Sequence, residues 1–259
     1  MAASGYSFDL SGRTVLVTGA SSGIGRHFAG ILAASGARVA IAARRRELLD
    51  DLEAEIRAAG GEAIAIPMDV ADEASTIAAY DMATEAFGPV DSVVCNAGVA
   101  IGGSALGLPA EDFDRIVAVN MRGVFLSARE GARRMVAAGS PERRHGRIVI
   151  ISSVTAHFVQ PGNPVYSATK AAVTQLGRVM ARDFAAKGIN VNALCPGYMR
   201  TELTGDWLES DKAKALVAGF PRQRVMDIAV LDPMLLYLCS DASAQVTGSV
   251  FTIDDGQTL

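Results

Sequence analysis

The chain has 259 residues, half of them hydrophobic and a fifth charged, with a formal net charge of −4. That size and composition fit a soluble globular protein built on one continuous core, and the negative balance argues against a dedicated nucleic-acid binder. No apolar run reaches the ~18 residues of a membrane span, and the first nine residues lack the basic start and apolar core of a secretory signal, so the expected location is the cytoplasm with no membrane partner.

In chain order, short apolar runs alternate with helical ones. Residues 13–18 read as a strand, followed by glycines and a helix to about Ser35, which Gly36 stops. Residues 38–43 form a second strand, 45–59 a helix, 62–67 a third strand and 72–87 a helix ending at Gly88 and Pro89. A fourth strand at 91–95 leads into a glycine-rich loop, and Pro109 and Asp112 open a long helical stretch to about Ala138. A strand at 146–151, a helix at 163–186 and a strand at 189–194 follow. Residues 198–220 break the alternation: Met199, Leu203, Trp207, Leu208, Leu216, Val217 and Phe220 recur at helical spacing. They fit an amphipathic helix pair on the core or a lid over a pocket; the two readings are compatible. A helix at 227–240 and a strand at 249–253 end the pattern. Such alternation predicts an α/β fold, a doubly wound (Rossmann-type) parallel sheet with helices on both faces, in a single domain spanning 1–259 with a frayed N-terminal segment.

The three cysteines (Cys95, Cys195, Cys239) are odd in number and widely spaced, so neither a disulfide framework nor a zinc site is expected, and Cys95 and Cys195 read as small core residues. The three histidines share no ligand spacing. His27 and His145 read as structural or solvated, whereas His157 stands close enough to Ser153 to line a site.

The turn Thr18, Gly19, Ala20, Ser21, Ser22, Gly23, Ile24, Gly25 follows the first strand and opens the first helix. Glycines there let a pyrophosphate approach the backbone, and a helix N-terminus offers free N–H groups and a positive dipole end. A carboxylate at the end of the second strand would accept hydrogen bonds from the ribose hydroxyls of NAD; Ala43 is followed instead by Arg44, Arg45 and Arg46. A guanidinium suits a 2′-phosphate, so NADP(H) is preferred, NAD(H) remaining possible, with Arg44 the expected ligand and Arg46 on the surface. The alternative is that the arginines are a solvated helix start.

Tyr166 and Lys170 stand one helical turn apart, on one face. A phenol titrates near pH ~10, and a neighbouring ammonium lowers that value toward a usable general acid or base. Such pairs also arise by chance in many helices, so the other motifs decide the meaning.

With Thr18, Gly19, Gly23, Ile24, Gly25, then Asn96, Ala97, Gly98, then Asn120, Ser153, Tyr166, Lys170 and Pro196, Gly197 in that order, the chain resembles the short-chain dehydrogenase/reductase family from Gly12 to Gly256. The resemblance implies a catalytic set of Asn120, Ser153, Tyr166 and Lys170. Tyr166 would pass the proton, Ser153 rather than Ser152 would hold the substrate oxygen, Lys170 would bind the nicotinamide ribose and acidify the tyrosine, and Asn120 would hold a relay water. It further implies cofactor contacts from Gly19, Ser21, Ser22, Gly23, Ile24, Gly25, Asp69, Val70, Asn96, Ala97 and Gly98, with Ile189, Pro196, Gly197 and Thr201 near the nicotinamide. Two departures stand out: Cys95 replaces the first asparagine of the usual Asn-Asn-Ala-Gly, and the tail reads Asp254, Asp255, Gly256, Gln257 where the family often has Asp-Gly-Gly.

Val154, His157, Phe158, Met199, Leu203 and Trp207 are the candidate substrate contacts, with Thr155 beside them. Their mix suits a hydrophobic or moderately polar ketone or secondary alcohol. The reading is an NADP(H)-dependent oxidoreductase of such substrates. The alternatives are a non-catalytic dinucleotide-binding redox sensor and an NAD-dependent alcohol or sugar-acid dehydrogenase of the same family. An epimerase or dehydratase would need a larger C-terminal domain than the chain offers. The resemblance also implies a homotetramer, with residues 121–135 and the Tyr166 helix as contact surfaces or, equally, as core.

Overall fold

The structure is a computed structural model and describes residues 8–259; the frayed segment expected at the N-terminus lies outside the described residues. The elements run β1 (Thr14–Thr18), α1 (Gly23–Ala34), β2 (Arg38–Ala43), α2 (Arg46–Ala58), β3 (Glu62–Pro67), α3 (Glu73–Phe87) and β4 (Ser92–Cys95). Then come α4 (Ala110–Val117), α5 (Gly123–Ala137), α6 (Ser140–Arg143), β5 (Gly146–Ile151), α7 (Pro164–Ala185), β6 (Ile189–Pro196), α8 (Gly205–Leu208), α9 (Asp211–Ala218), α10 (Asp232–Cys239) and β7 (Val250–Ile253). The strands form one sheet in the order β3-β2-β1-β4-β5-β6-β7, every pairing parallel.

Strand residues alternate between the two faces, as a period of two requires. Val15, Val17, Val39, Ile41, Val94 and Val149 pack beneath α1, α2 and α10 through Phe28, Leu32, Leu49 and Leu235. Leu16, Ala40, Val93, Ile148, Ile150 and Val191 pack on the opposite face against Tyr80 of α3, Ala128 and Met135 of α5, and Val173 and Met180 of α7. Consecutive apolar strand residues therefore bury on both sides, which is why the strands read as continuous apolar runs. The strand order reverses between β1 and β4, and a crevice opens at their carboxyl ends.

Three expected elements differ in form. The long helix expected to Ala138 is α4 and α5 joined through a π-turn at Ala118–Arg122, with Asn120 fully buried in the turn. Such one-residue widenings recur at functional sites. The helix expected at 227–240 begins as a 3-10 turn at Ile228–Leu231, capped by Asp227, and becomes α10 only where Pro233 supplies a first-turn residue. Residues 198–220 hold two short helices, α8 and α9, rather than an amphipathic pair of full length; Ser210 ends one and caps the next by accepting from Ala213 N. This segment packs through Tyr198 and Phe220 onto Val154, with Trp207, Leu216 and Val217 around them.

Candidate active site

The glycine-rich turn after β1 is lashed to the end of β4. Thr18 Oγ1 accepts from the amides of Asn96 (3.0 Å) and Ala97 (3.1 Å), while Asn96 Nδ2 donates to Thr18 O (3.0 Å) and Gly19 O (3.3 Å). Gly19 has φ +68°, and a Cβ there would meet Ala97 Cα at 2.7 Å, so only glycine permits the close approach. The first turn of α1 has neither a side-chain cap nor an acidic residue. Its free amides and positive end thus remain available to an anion.

A cleft of about 360 Å³ opens over this turn. It is lined by Gly19, Ser21, Ser22, Gly23 and Ile24, by Arg44, Asp69 and Val70, by Asn96, Ala97 and Gly98, and by Tyr166, Lys170 and Thr201. Its donors, small residues and open helix terminus fit a dinucleotide. Gly25 does not line it: a Cβ there would lie 2.4 Å from both Asn96 Nδ2 and Gly19 O, so its lack of a side chain serves packing. Pro196 and Gly197 border the adjoining cavity instead. Ile189 opens β6, pairs with Gly146 and is buried at the strand end away from the crevice, so its expected place near the nicotinamide does not hold.

At the rim, Arg44 is exposed and lines the cleft, and Arg46 faces outward with Asp50 (2.6 Å). Arg45 is the residue the sequence left in a helix. It precedes α2, and its guanidinium turns in over the glycine-rich turn. Its Nη2 donates to Ser22 Oγ (2.8 Å) and Ser21 Oγ (3.1 Å). Its two Nη atoms also reach Glu202, at 2.6 Å to Oε1 and 2.8 Å to Oε2. Hydrogen bonds from Arg45 and Ser22 hold the Glu202 carboxyl at about 2.

A second cavity of about 680 Å³ adjoins the cleft. Ser153, Val154, Tyr166, Met199, Leu203 and Trp207 line it, as do Tyr198, Gln160, Asn163, Thr204 and Lys212, which sequence reasoning missed. Among its described lining residues, Lys212 carries the only charge. Tyr198 stacks on Trp207 (centroids 5.9 Å apart) and leans on Phe220 (5.4 Å). His157 and Phe158 line a separate shallow depression, contrary to expectation. The 3-10 turn Val154–Ala156 folds the chain back, with His157 N donating to Val154 O (3.1 Å), and leaves His157 exposed. The departing tail carries a residue whose role the sequence did not assign: Gln257 is buried, its Oε1 accepts from Tyr198 N (2.6 Å), and its Nε2 donates to Tyr198 O (3.2 Å) and Arg224 O (3.3 Å). Gly197 is small for the same reason, since a Cβ there would meet Gln257 Oε1 at 2.3 Å.

Tyr166 and Lys170 project from the start of α7, and Ser153 follows β5. The neighbouring Ser152 points elsewhere: its hydroxyl donates to Lys170 O (2.9 Å) and meets Thr174 Oγ1 (2.7 Å). Tyr166 is only partly shielded overall, yet atoms crowd its hydroxyl so that desolvation pushes the phenol up to about 12, a hydrogen bond with Ser153 pulling the other way. Burial brings the Lys170 ammonium down to about 8. Its Nζ donates to Ile151 O (2.9 Å) and stands 5.5 Å from the Tyr166 ring centroid. The expected acidification of the phenol by Lys170 is therefore absent from these contacts, because burial acts on both groups and the lysine turns to a backbone carbonyl.

Asn120 Oδ1 accepts from Val99 N (2.8 Å), and its Nδ2 donates to Val99 O (2.9 Å) and Thr169 Oγ1 (3.3 Å). Both its side-chain polar atoms are thus engaged by the protein. Cys95, Cys195 and Cys239 are free and buried, and burial pushes the Cys95 thiol up to about 12. Cys95 Sγ lies 4.0 Å from Val124 O, a weak contact. Among the described residues, no group of three or more His, Cys, Asp or Glu could hold a metal, and no helix is long and apolar enough to cross a membrane.

Comparison with known proteins agrees with this geometry. Residues 13–212 match the family model described as short chain dehydrogenase. The chain is 37% identical over 247 residues to cis-4-hydroxycyclohexanecarboxylate dehydrogenase of Sinomonas cyclohexanicum, covering 95% of this chain and 96% of that protein. A short-chain type dehydrogenase/reductase from Mycobacterium marinum superposes with a TM-score of 0.91 at 38% identity, covering 97% of this chain and 98% of that one. Gluconate 5-dehydrogenase from Burkholderia cenocepacia, solved with NADP and tartrate, gives 0.91 at 34% identity and 97% of each chain. Fold and cleft define an oxidoreductase whose fold binds nicotinamide dinucleotides. The chain belongs to the short-chain dehydrogenase/reductase family.

Proposed function

We propose that this protein transfers a hydride between NADP(H) and a secondary alcohol or its ketone, with Tyr166 as general acid and base. The observation that carries this reading is the position of Tyr166, which lines both the dinucleotide cleft and the adjoining cavity. A phenol at that junction reaches the substrate oxygen beside the nicotinamide. Bound in the cleft, the cofactor supplies or takes the hydride.

The residues do the rest. Ser153 holds the substrate oxygen against the phenol, keeping donor and acceptor aligned. In reduction Tyr166 gives that oxygen its proton; in oxidation it takes the proton back. Lys170 lies at the cleft floor, where its ammonium binds ribose hydroxyls and favours the phenolate once drawn to them. Asn120 fixes the Val99 loop against α7, and so holds the lysine's surroundings in place.

Arg44 and Arg45 at the end of β2 support NADP(H) over NAD(H), because guanidinium groups pair with phosphate; the Burkholderia cenocepacia relative was solved with NADP. The aromatic and aliphatic wall formed by Tyr198, Trp207, Val154, Met199 and Leu203, with a single lysine, fits an apolar or ring-bearing alcohol carrying at most one acid group. The Sinomonas cyclohexanicum relative is named for such a hydroxy acid. Residues 198–220 act as the lid within the single domain. Three buried free thiols fit a reducing, cytoplasmic setting. Exposed Phe113, Met121 and Phe125 around α4 and α5, with Val179 on α7, fit the subunit contacts of a homotetramer, which light scattering after size exclusion tests.

A panel of ring and chain alcohols and ketones, assayed by nicotinamide absorbance with both cofactors, tests the function. Turnover with NADP(H) is the expected outcome. No turnover of any secondary alcohol or ketone with either cofactor would refute the reading.

A further inference from the structure

The Arg45–Glu202 pair joins two parts of the molecule 157 residues apart in sequence. One partner leaves β2; the other begins the segment that walls the substrate cavity. Arg45 also holds Ser21 and Ser22, so a guanidinium and two serine hydroxyls converge beside the open N-terminus of α1. Phosphate monoesters bind to this chemistry: a charged fork, hydroxyl donors and a positive dipole end. In the structure that cradle is taken by a carboxylate of the chain itself.

We infer that Glu202 is a specificity-determining residue, an internal carboxylate that competes with the cofactor's 2′-phosphate for Arg45 and thereby narrows the preference for NADP(H). The inference rests on the reading of Arg44 and Arg45 as the phosphate ligands. Both oxygens of Glu202 occupy the Arg45 fork, so a phosphate cannot take the same bidentate geometry while they stay. Two anions at one guanidinium also repel each other. Exchange is nevertheless easy. The side chains of Arg45 and Glu202 are 48% and 56% exposed, so neither loses a buried environment and the pair is weak. NAD(H) meets no such competition, because its ribose hydroxyls donate to a carboxylate rather than contest it. Thr201 and Leu203, flanking Glu202, line both the cleft and the substrate cavity, so displacement of Glu202 is felt in the substrate wall.

The test is calorimetric titration of the full-length protein with 2′,5′-ADP and with 5′-AMP, which differ in the 2′-phosphate. Glu202→Ala and Glu202→Gln are expected to tighten 2′,5′-ADP about fivefold, the scale of an exposed ion pair, and to leave 5′-AMP within about twofold. Unchanged or weaker 2′,5′-ADP binding in both variants overturns the inference. Arg45→Ala and Arg44→Ala separate the two levels. If they weaken 2′,5′-ADP while the Glu202 variants do nothing, only the competition is wrong. If 2′,5′-ADP binds all of them as it binds the unaltered protein, the NADP(H) reading fails and the inference falls with it.

Discussion

Lys170 Nζ gives its hydrogen bond to Ile151 O at 2.9 Å, although the Tyr166 ring centroid is only 5.5 Å away. The lysine is buried, and burial lowers its value from an ordinary 10.5 to about 8. Between pH 8 and 10.5 the unfolded chain holds a proton on Lys170 that the folded chain has released. Stability therefore rises with pH across that window, by up to ~3 kcal/mol for this one group. Lys170→Met removes the contribution. Urea unfolding at pH 7 to 10 is expected to show the wild-type minus variant difference climbing with pH. A flat difference would mean that the ammonium keeps its ordinary affinity for protons in the fold. Tyr166 contributes with the opposite sign above pH 10, where burial keeps its proton on, and it is present in both proteins.

Tyr166→Phe removes the hydroxyl at the junction of the two cavities while keeping the ring that lines them. Loss of a positioned general acid or base lowers kcat by about 10²–10⁴. NADP(H) affinity, measured by fluorescence titration, is expected to stay within about threefold, since the phosphate end of the cofactor is held elsewhere. A variant that turns over near the wild-type rate assigns the proton transfer to another group.

The parts of the molecule with local signals were legible in the sequence. Strands such as β1 and β5 are short apolar runs beside glycines, Gly19 after β1 and Gly146 at the start of β5, and their burial on both faces follows from the helices between them. The glycine-rich turn, Ser153, Tyr166 and Lys170 carry spacing that survives folding. What could not be read depends on where distant segments meet. Arg45 read as the opening residue of a helix until the segment carrying Glu202 was placed across from it. His157 stood four residues from Ser153 in sequence, but the 3-10 turn between them sends it to another surface. Ile189 and Pro196 lie on one strand, yet only its carboxyl end reaches the crevice. The direction of Lys170 was equally hidden, because helical spacing fixes the face of α7 it shares with Tyr166 and not the partner its ammonium chooses.

Gln257 fastens both backbone polar groups of Tyr198, whose ring stacks on Trp207. Gln257→Ala leaves a buried amide at Tyr198 without a partner, which costs ~1–3 kcal/mol. The expected outcome is a lowered melting temperature together with a higher KM for the alcohol, kcat changing less. Trp207 is the only tryptophan, so its emission reports on the cavity wall directly. A shift of that emission is expected on substitution, and an unaltered spectrum with unaltered KM would show that Tyr198 keeps its place without the glutamine.

Lys212 carries the only charge among the described residues lining the second cavity, and it stands exposed in the first turn of α9, beside Asp211. A substrate acid group reaching it gains an ion pair that solvent screens to ~0.2–1 kcal/mol, whereas a neutral substrate gains nothing comparable. Lys212→Gln is therefore expected to raise KM for a hydroxycyclohexanecarboxylate by about two- to fivefold, the upper factor being what ~1 kcal/mol represents, with kcat little changed because Ser153 and Tyr166 are untouched. The carboxamide of the same ring alcohol is the control, and its KM is expected to be the same in both proteins. An equal rise for acid and amide would show that the substitution disturbs the wall of the cavity, and an absence of any rise would place the acid group of the substrate away from α9.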